Sequence, residues 1–492
     1  MVFSSVIFLC FFMPVMIIGY YILPGKLRNL YLVLGSLFFY AWGGPEYVFI
    51  MIASITGNYI FGVLLDLTGG RLIGRKKIIT GRILLVITIL FNLGILFYFK
   101  YYTFALTTLH DLFMPGLAIK EITLPIGISF YTFQGMSYVI DVYRGCGIKE
   151  GTVRDDTLVQ KNPLNLALYI SMFPQLIAGP IVRYTDIKPY LKKRQVNLSG
   201  FSKGVERFII GLAKKAILAN TLGETADKIF TTDYSYMGVP VAWLGAILYT
   251  LQIYYDFSGY SDMAIGLGRI FGFEFMENFN YPYISKSVSE FWRRWHISLS
   301  SWFRDYLYIP LGGNRTGNVY FNLFIVFLAT GIWHGAAFGF IVWGLWHGLF
   351  IITERVFRKK GVTLKLPAVV RWLYTMLIVV LGWVLFKLEE LPATFEYIGA
   401  MFGMDHESYV EFSLRYYLDN KMIFILIIAI IAAIPWAQIL PRHLASYISA
   451  LSLQEEGKTA VIIKRISLII LMAISFMFII NSSYNPFIYF RF

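Results

Sequence analysis

Runs of about twenty consecutive apolar residues, each long enough to cross roughly 30 Å of hydrocarbon, recur along the whole chain and decide what it can fold into. Inside a bilayer every backbone polar group must be satisfied within the protein, which leaves helices or closed barrels. Runs of helical length select helices. They fall at about 4–23, 29–43, 47–66, 83–100, 122–140, 164–182, 205–220, 239–270, 320–338, 340–353, 368–387, 421–440 and 461–480. Some are short or partly polar, so about eleven to thirteen helices are expected, several tilted or re-entrant. The fold class is an all-α polytopic membrane protein. With 57% hydrophobic and 15% charged residues, soluble, disordered and disulfide-rich secreted classes are excluded. The first run, Val6 to Leu23, lacks a basic leader and a small-residue cleavage site, and reads as a retained helix.

The net charge of +14 would suit a nucleic-acid binder, but its distribution argues otherwise. Arg71, Arg75, Lys76, Lys77 and Arg82 fall between two apolar runs, and Arg355, Arg358, Lys359 and Lys360 follow another. Such clusters mark cytoplasmic loops, and none accompanies the aromatic platforms that single strands require. The same bias places Lys458, Lys464 and Arg465 inside and the C-terminus outside. Cys10 and Cys146 cannot build a disulfide framework, and no metal-ligand spacing is present. No internal repeat of the transporter type is visible.

Two stretches break the apolar pattern, 183–202 and 274–318. Within the second, Ser289–Gly313 read as one helix puts Trp292, Trp295, Leu299, Trp302 and Tyr306 on a single face, with His296 at its edge and Arg293, Arg294, Ser301, Arg304 and Asp305 opposite. Two readings stand: an interfacial amphipathic helix with Trp anchors, or part of a site. Phe321–Thr353 then runs for over thirty residues without Asp, Glu, Lys or Arg, yet carries His334 and His347, two of the chain's six histidines. At about 1.5 Å per residue His334 lies roughly 20 Å from the Phe321 end. A titratable group at that depth is costly and marks a candidate site. The bland reading is a neutral imidazole bonded to a neighbouring helix. Two short helices should meet near Phe338 and Gly339.

Phe291–Ser300 (FWRRWHISLS), Trp333-His-Gly335 and Trp343–Gly348 closely resemble the membrane-bound O-acyltransferases (MBOAT), within them the bacterial alginate O-acetylation type. Leu124–Gln134, Phe173–Pro180 and Tyr254–Gly266 support the resemblance, which runs from the first helices to about residue 390. It implies a ring of tilted helices around a thin centre, where a cytoplasmic donor channel meets an outer acceptor funnel. It also implies that His334 is the catalytic histidine and His296 a second active-site histidine. Neutral imidazole suits the task, accepting the proton of an attacking hydroxyl. His296 with Trp295, Trp333 or Arg294 could orient the donor or stabilise an oxyanion. Asp256 could steady these groups, Asp262 reads as a structural acceptor, and His347 orients neighbours or packs between helices, packing being favoured.

Residues 1–480 are read as the acyltransferase domain and 481–492 as an outward-facing aromatic tail. From a helix end near Ile480 to Tyr489, nine extended residues reach on the order of 30 Å. The tail is either an aromatic interface anchor or a covalent relay, with the Tyr489 hydroxyl as first acyl acceptor; it is similar to aromatic-tyrosine tails of cell-envelope acylation systems in this family. The expected function is O-acetylation of an envelope or secreted polysaccharide by a multi-pass protein of the cytoplasmic membrane. No bound cofactor is expected. Acetyl-CoA or an acyl-carrier thioester is the donor substrate, and an exported acetyltransferase-like protein, the polysaccharide, an acyl-carrier protein and membrane lipids are the partners. Two alternatives are D-alanyl transfer to teichoic acid, and a transporter or flippase without covalent chemistry.

Overall fold

The helix Val239–Ile270 has 32 residues and is buried along nearly its whole length. It carries Thr250, Gln252, Asp256, Ser258, Ser261 and Asp262 into the interior. A helix enclosed on every side is a central strut rather than a lipid-facing span. Its neighbour is the helical stretch that starts at Leu198–Ala213. The two approach closely because glycines face each other seven residues apart on both. A Cβ on Gly204 would stand 2.6 Å from the Gly266 carbonyl, and one on Gly259 would stand 2.8 Å from that of Gly211. Small residues at such a seam let membrane helices pack backbone to backbone.

The computed structural model describes residues 1–116, 119–148, 155, 158–177, 179–361, 366–404, 412–436, 458–482, 484–486 and 488. They form helices joined by turns and loops, with no strand among the described residues. Five described helices have the length and composition to cross a membrane: Glu46–Arg71, Gly74–Phe113, Phe338–Lys359, Ala368–Leu388 and Val461–Asn481. Phe8–Ile22, Val319–His334 and Asn420–Ala432 are shorter apolar helices. The chain is a multi-pass membrane protein. Buried polar side chains tie spans together. Asn58 and Asn92 exchange amide hydrogen bonds of 3.1 and 2.9 Å between Glu46–Arg71 and Gly74–Phe113.

Two helices do meet where the sequence places them, although the second, with 22 residues, is a full-length span rather than a short helix. Val319–His334 starts at Asn318, whose side chain accepts from the Tyr320 and Phe321 N–H groups. It turns through Gly335–Ala337 into Phe338–Lys359. Gly331 and Gly344 face each other across this hairpin, with the Gly344 site 2.9 Å from the Gly331 Cα.

The stretch 289–313 departs from the single amphipathic helix that its periodicity suggests. It forms Val288–Arg294 and Ile297–Phe303, two short helices broken at Trp295 and His296. Trp292, Trp295, Trp302 and Tyr306 are buried, so they are not interfacial anchors. Periodicity located the apolar face correctly, but a side-chain capture of the backbone at His296 interrupts the helix. The break serves the site.

Candidate active site

Interior aromatic packing collects three histidines that lie far apart in sequence. The ring centroids of His296 and His334 are 6.5 Å apart. Trp343 packs edge-on against both His334, at 4.8 Å, and His347, at 5.2 Å. All three histidines are buried.

His334 is the last residue of its helix. Gly335 leaves helical geometry for extended backbone, and the Phe340 ring occupies the place a Cβ would take there. The final carbonyls of a helix need donors. Lys100, from the segment Gly74–Phe113, supplies them: its Nζ donates to the Trp333 carbonyl at 2.5 Å and the His334 carbonyl at 3.4 Å, and to Ser129 Oγ at 3.1 Å. A cation at a helix C-terminus also meets the negative end of the dipole. The catalytic candidate is thus clamped from behind by a buried lysine.

His296 sits between its two helices in the left-handed region, at φ 44° and ψ 55°. Few residues other than glycine and Asn adopt this conformation. Asn278 holds it there. The Asn278 Oδ1 accepts from the Ser298 N–H at 3.1 Å and from Ser298 Oγ at 2.8 Å, and lies 3.1 Å from His296 Nδ1. The Asn278 carbonyl accepts from the Ile297 N–H at 2.9 Å. Because a backbone N–H can only donate, the atom it meets on Asn278 is the oxygen. His296 Nδ1 therefore carries the proton in the neutral ring, and Nε2 presents a lone pair. Nε2 is buried with no hydrogen-bond partner among the described residues. Ser298 Oγ in turn accepts from the Ile181 N–H at 3.0 Å, linking the broken segment after Phe173–Leu176 to the same node.

Indole N–H groups surround the pair. Trp333 lies 4.9 Å from His334 and 6.1 Å from His296. The Nε1 atoms of Trp333 and Trp343 are buried and without acceptors among the described residues, so both are donors available beside His334. Trp295 packs with Tyr254, Phe279 and Trp383 as a wall of the same cluster. His347 lies between Trp292 and Trp343 with Gly382 against its ring, in a packing position.

Other flagged residues sit elsewhere. Arg294 pairs with Glu290 at 3.0 Å and donates to the Asn280 carbonyl, so its charge is spent on its own helix. Asp262 binds Arg207 and Lys214, each at 2.7 Å. Asp256 pairs with buried Lys215 at 2.6 Å and accepts from the Ile488 N–H at 3.0 Å. Both aspartates thus turn to the segment 207–215. Phe257, next to Asp256, packs against His296 at 4.6 Å. Tyr489 lies outside the described residues, as do His406 and His443.

Sequence reasoning missed Lys100, Asn278 and the indole of Trp343. Lys100 ends an apolar run and looks like a boundary cation; Asn278 sits 18 residues from its histidine. The one available signal was a lysine followed directly by more apolar and aromatic residues, Tyr101 to Leu106.

The chain thus combines apolar helices of membrane-crossing length with a buried histidine pair. The family model for MBOAT, the membrane-bound O-acyltransferase family, matches residues 121–386, a span holding both histidines. The chain belongs to this family and is an acyltransferase, which sets aside a transporter or flippase without covalent chemistry. Among individual relatives, a protein named "probable alginate O-acetylase AlgI" of Pseudomonas putida is 39% identical over 100% of both chains. A peptidoglycan O-acetyltransferase of Helicobacter pylori is 34% identical over 100% of this chain and 98% of its own. A teichoic acid D-alanyltransferase of Bacillus subtilis is 30% identical over 52% of this chain and 65% of its own.

Proposed function

We propose that the chain is an O-acetyltransferase of the cytoplasmic membrane that carries acetyl from a cytoplasmic thioester toward an envelope or secreted polysaccharide. The observation that carries this reading is the buried His296–His334 pair, 6.5 Å apart, flanked by indole donors without acceptors among the described residues. His334 is assigned as general base. It takes the proton of an attacking hydroxyl, the oxygen bonds to the thioester carbonyl carbon, and the C–S bond breaks to release the thiol, which regains a proton. Trp333 and Trp343 are assigned to the carbonyl oxygen as negative charge develops there. His296, with a lone pair at Nε2, offers no donor to an oxyanion and is assigned to lining the site beside His334. Acetyl-CoA, directly or through a carrier protein, is the donor, and an exported acetyltransferase-like partner completes delivery.

End-to-end similarity to two O-acetyl-transferring relatives, against half-chain similarity to a D-alanyltransferase, favours acetyl. Tyr489 is assigned as a first acceptor, its phenol ester being activated for onward transfer. Seating of the preceding tail residues against Asp256, one residue from Phe257 and its contact with His296, supports this. Membranes incubated with labelled acetyl donor, then digested and mapped by mass spectrometry, test both assignments. Acetate on Tyr489 and on polysaccharide is expected. D-alanine on the product would replace the acetyl reading, and full transfer by Tyr489→Phe would sink the relay.

A further inference from the structure

Lys215 and Asp256 form a buried ion pair whose charges are 3% and 1% exposed. Taking two charges out of water is costly, and their mutual attraction offsets it only when the remaining donors and acceptors are also satisfied. An ammonium has three donors, and a carboxylate about four acceptor positions. Here the C-terminal segment supplies partners from its main chain. Lys215 Nζ donates to the Pro486 carbonyl, and Asp256 accepts from the Ile488 N–H at 3.0 Å. Pro486 has no N–H of its own, so its passage at that depth leaves no donor to satisfy.

Further out, the same segment is held by side chains. The Tyr484 hydroxyl donates to Asp227 at 2.5 Å, and the other Asp227 oxygen pairs with Lys387. Asn485 Oδ1 accepts from Ser4 Oγ at 3.1 Å and from the Asn220 amide at 3.4 Å. The order Asp227, Lys215, Asp256 leads along the central helix pair toward Phe257 and His296. Side chains thus identify the outer part of the segment, and the ion pair grips the inner part by its backbone.

We propose that Lys215 and Asp256 are a built-in seat for a peptide main chain, occupied here by Pro486 and Ile488 of the chain itself. The seat fixes how far the tail enters the protein. Among the described residues, the bonds the pair makes to the tail are to its main chain, and they set the register of residue 488. This deepens, and rests on, the assignment of Tyr489 as acyl acceptor, because a relay residue must arrive at a set depth beside the histidines.

Amide hydrogen exchange of the C-terminal peptide in purified full-length protein tests the seat without reference to acylation. The wild-type segment is protected. Lys215→Met/Asp256→Leu replaces the pair with apolar residues of similar size, a change that buried ion pairs commonly tolerate. It should raise exchange over 484–488 by about tenfold or more, with tail-to-polymer transfer lost. Ile488→Pro removes the N–H bonded to Asp256, but it also fixes φ and changes a side chain packed against the core. It is therefore read beside Ile488→Ala, which keeps the N–H. The Pro variant should release the flanking amides, and the Ala variant should keep them protected. Unchanged protection in both the double variant and Ile488→Pro would overturn the seat. A Tyr489→Phe protein that transfers acetyl normally, alongside a double variant with a released tail, would remove the relay and leave the seat standing.

Discussion

Replacing Lys100 with Met asks whether the clamp behind His334 sets the rate. Lys100 makes two bonds of 2.5 and 3.1 Å and a longer one of 3.4 Å. A hydrogen bond to a charged group contributes about 1.5–3 kcal/mol net, so the shorter two supply roughly 3–6 kcal/mol, while burying the ammonium costs several kcal/mol. Met removes both terms and fills nearly the same volume. What remains is the desolvation cost of terminal carbonyls left without donors, about 1–3 kcal/mol each. The protein should therefore stay folded with its melting temperature modestly lowered. The last turn before Gly335 loses its anchor, and a misplacement of about 1 Å at a reacting group costs on the order of 10²-fold in rate. Turnover of labelled acetyl donor in purified protein, read beside thermal unfolding, should show kcat falling with KM for the donor nearly unchanged. Wild-type turnover in a folded Lys100→Met protein would refute the clamp.

Three further outcomes follow from the same geometry. His296→Asn should fold, since Asn tolerates the left-handed backbone at φ 44°, yet lose about 10²–10⁴-fold in transfer; His296→Val should fail to accumulate, because a β-branched residue is an outlier there. Asn278→Leu removes the acceptor that fixes the His296 tautomer, and should lower kcat while perturbing the imidazole nitrogen signals in 15N NMR of labelled histidine. Gly344→Ala drives a methyl into the backbone of Gly331 across the hairpin, and should destabilise by about 1–3 kcal/mol, measured by thermal unfolding in detergent.

Much of this protein is legible in its sequence, because hydrocarbon imposes strong rules. The apolar runs, the two helices meeting at Phe338 and the depth of His334 follow from length and from the cost of polar groups in lipid. The break at His296 does not. A 3.6-residue aromatic pattern from Trp292 to Tyr306 describes a helix, and only the tertiary bonds to Asn278 reveal why the backbone leaves it. Lys100 is similar, since a lysine ending an apolar run usually reaches water, whereas here a helix end 233 residues away captures it. Asp256 was flagged by its motif, but its partner Lys215 and the returning tail are long-range facts that no local pattern encodes.

On the proposed function, the buried His296 and His334 pass an acetyl group through this protein. Proteoliposomes carrying labelled acetyl donor on the face of the Arg71–Arg82 loop, and acceptor only on the opposite face, test it most directly. Wild-type protein should place label on the far-side acceptor, and His334→Ala should abolish that transfer while the protein stays folded. Transfer by His334→Ala at the wild-type rate would contradict the account.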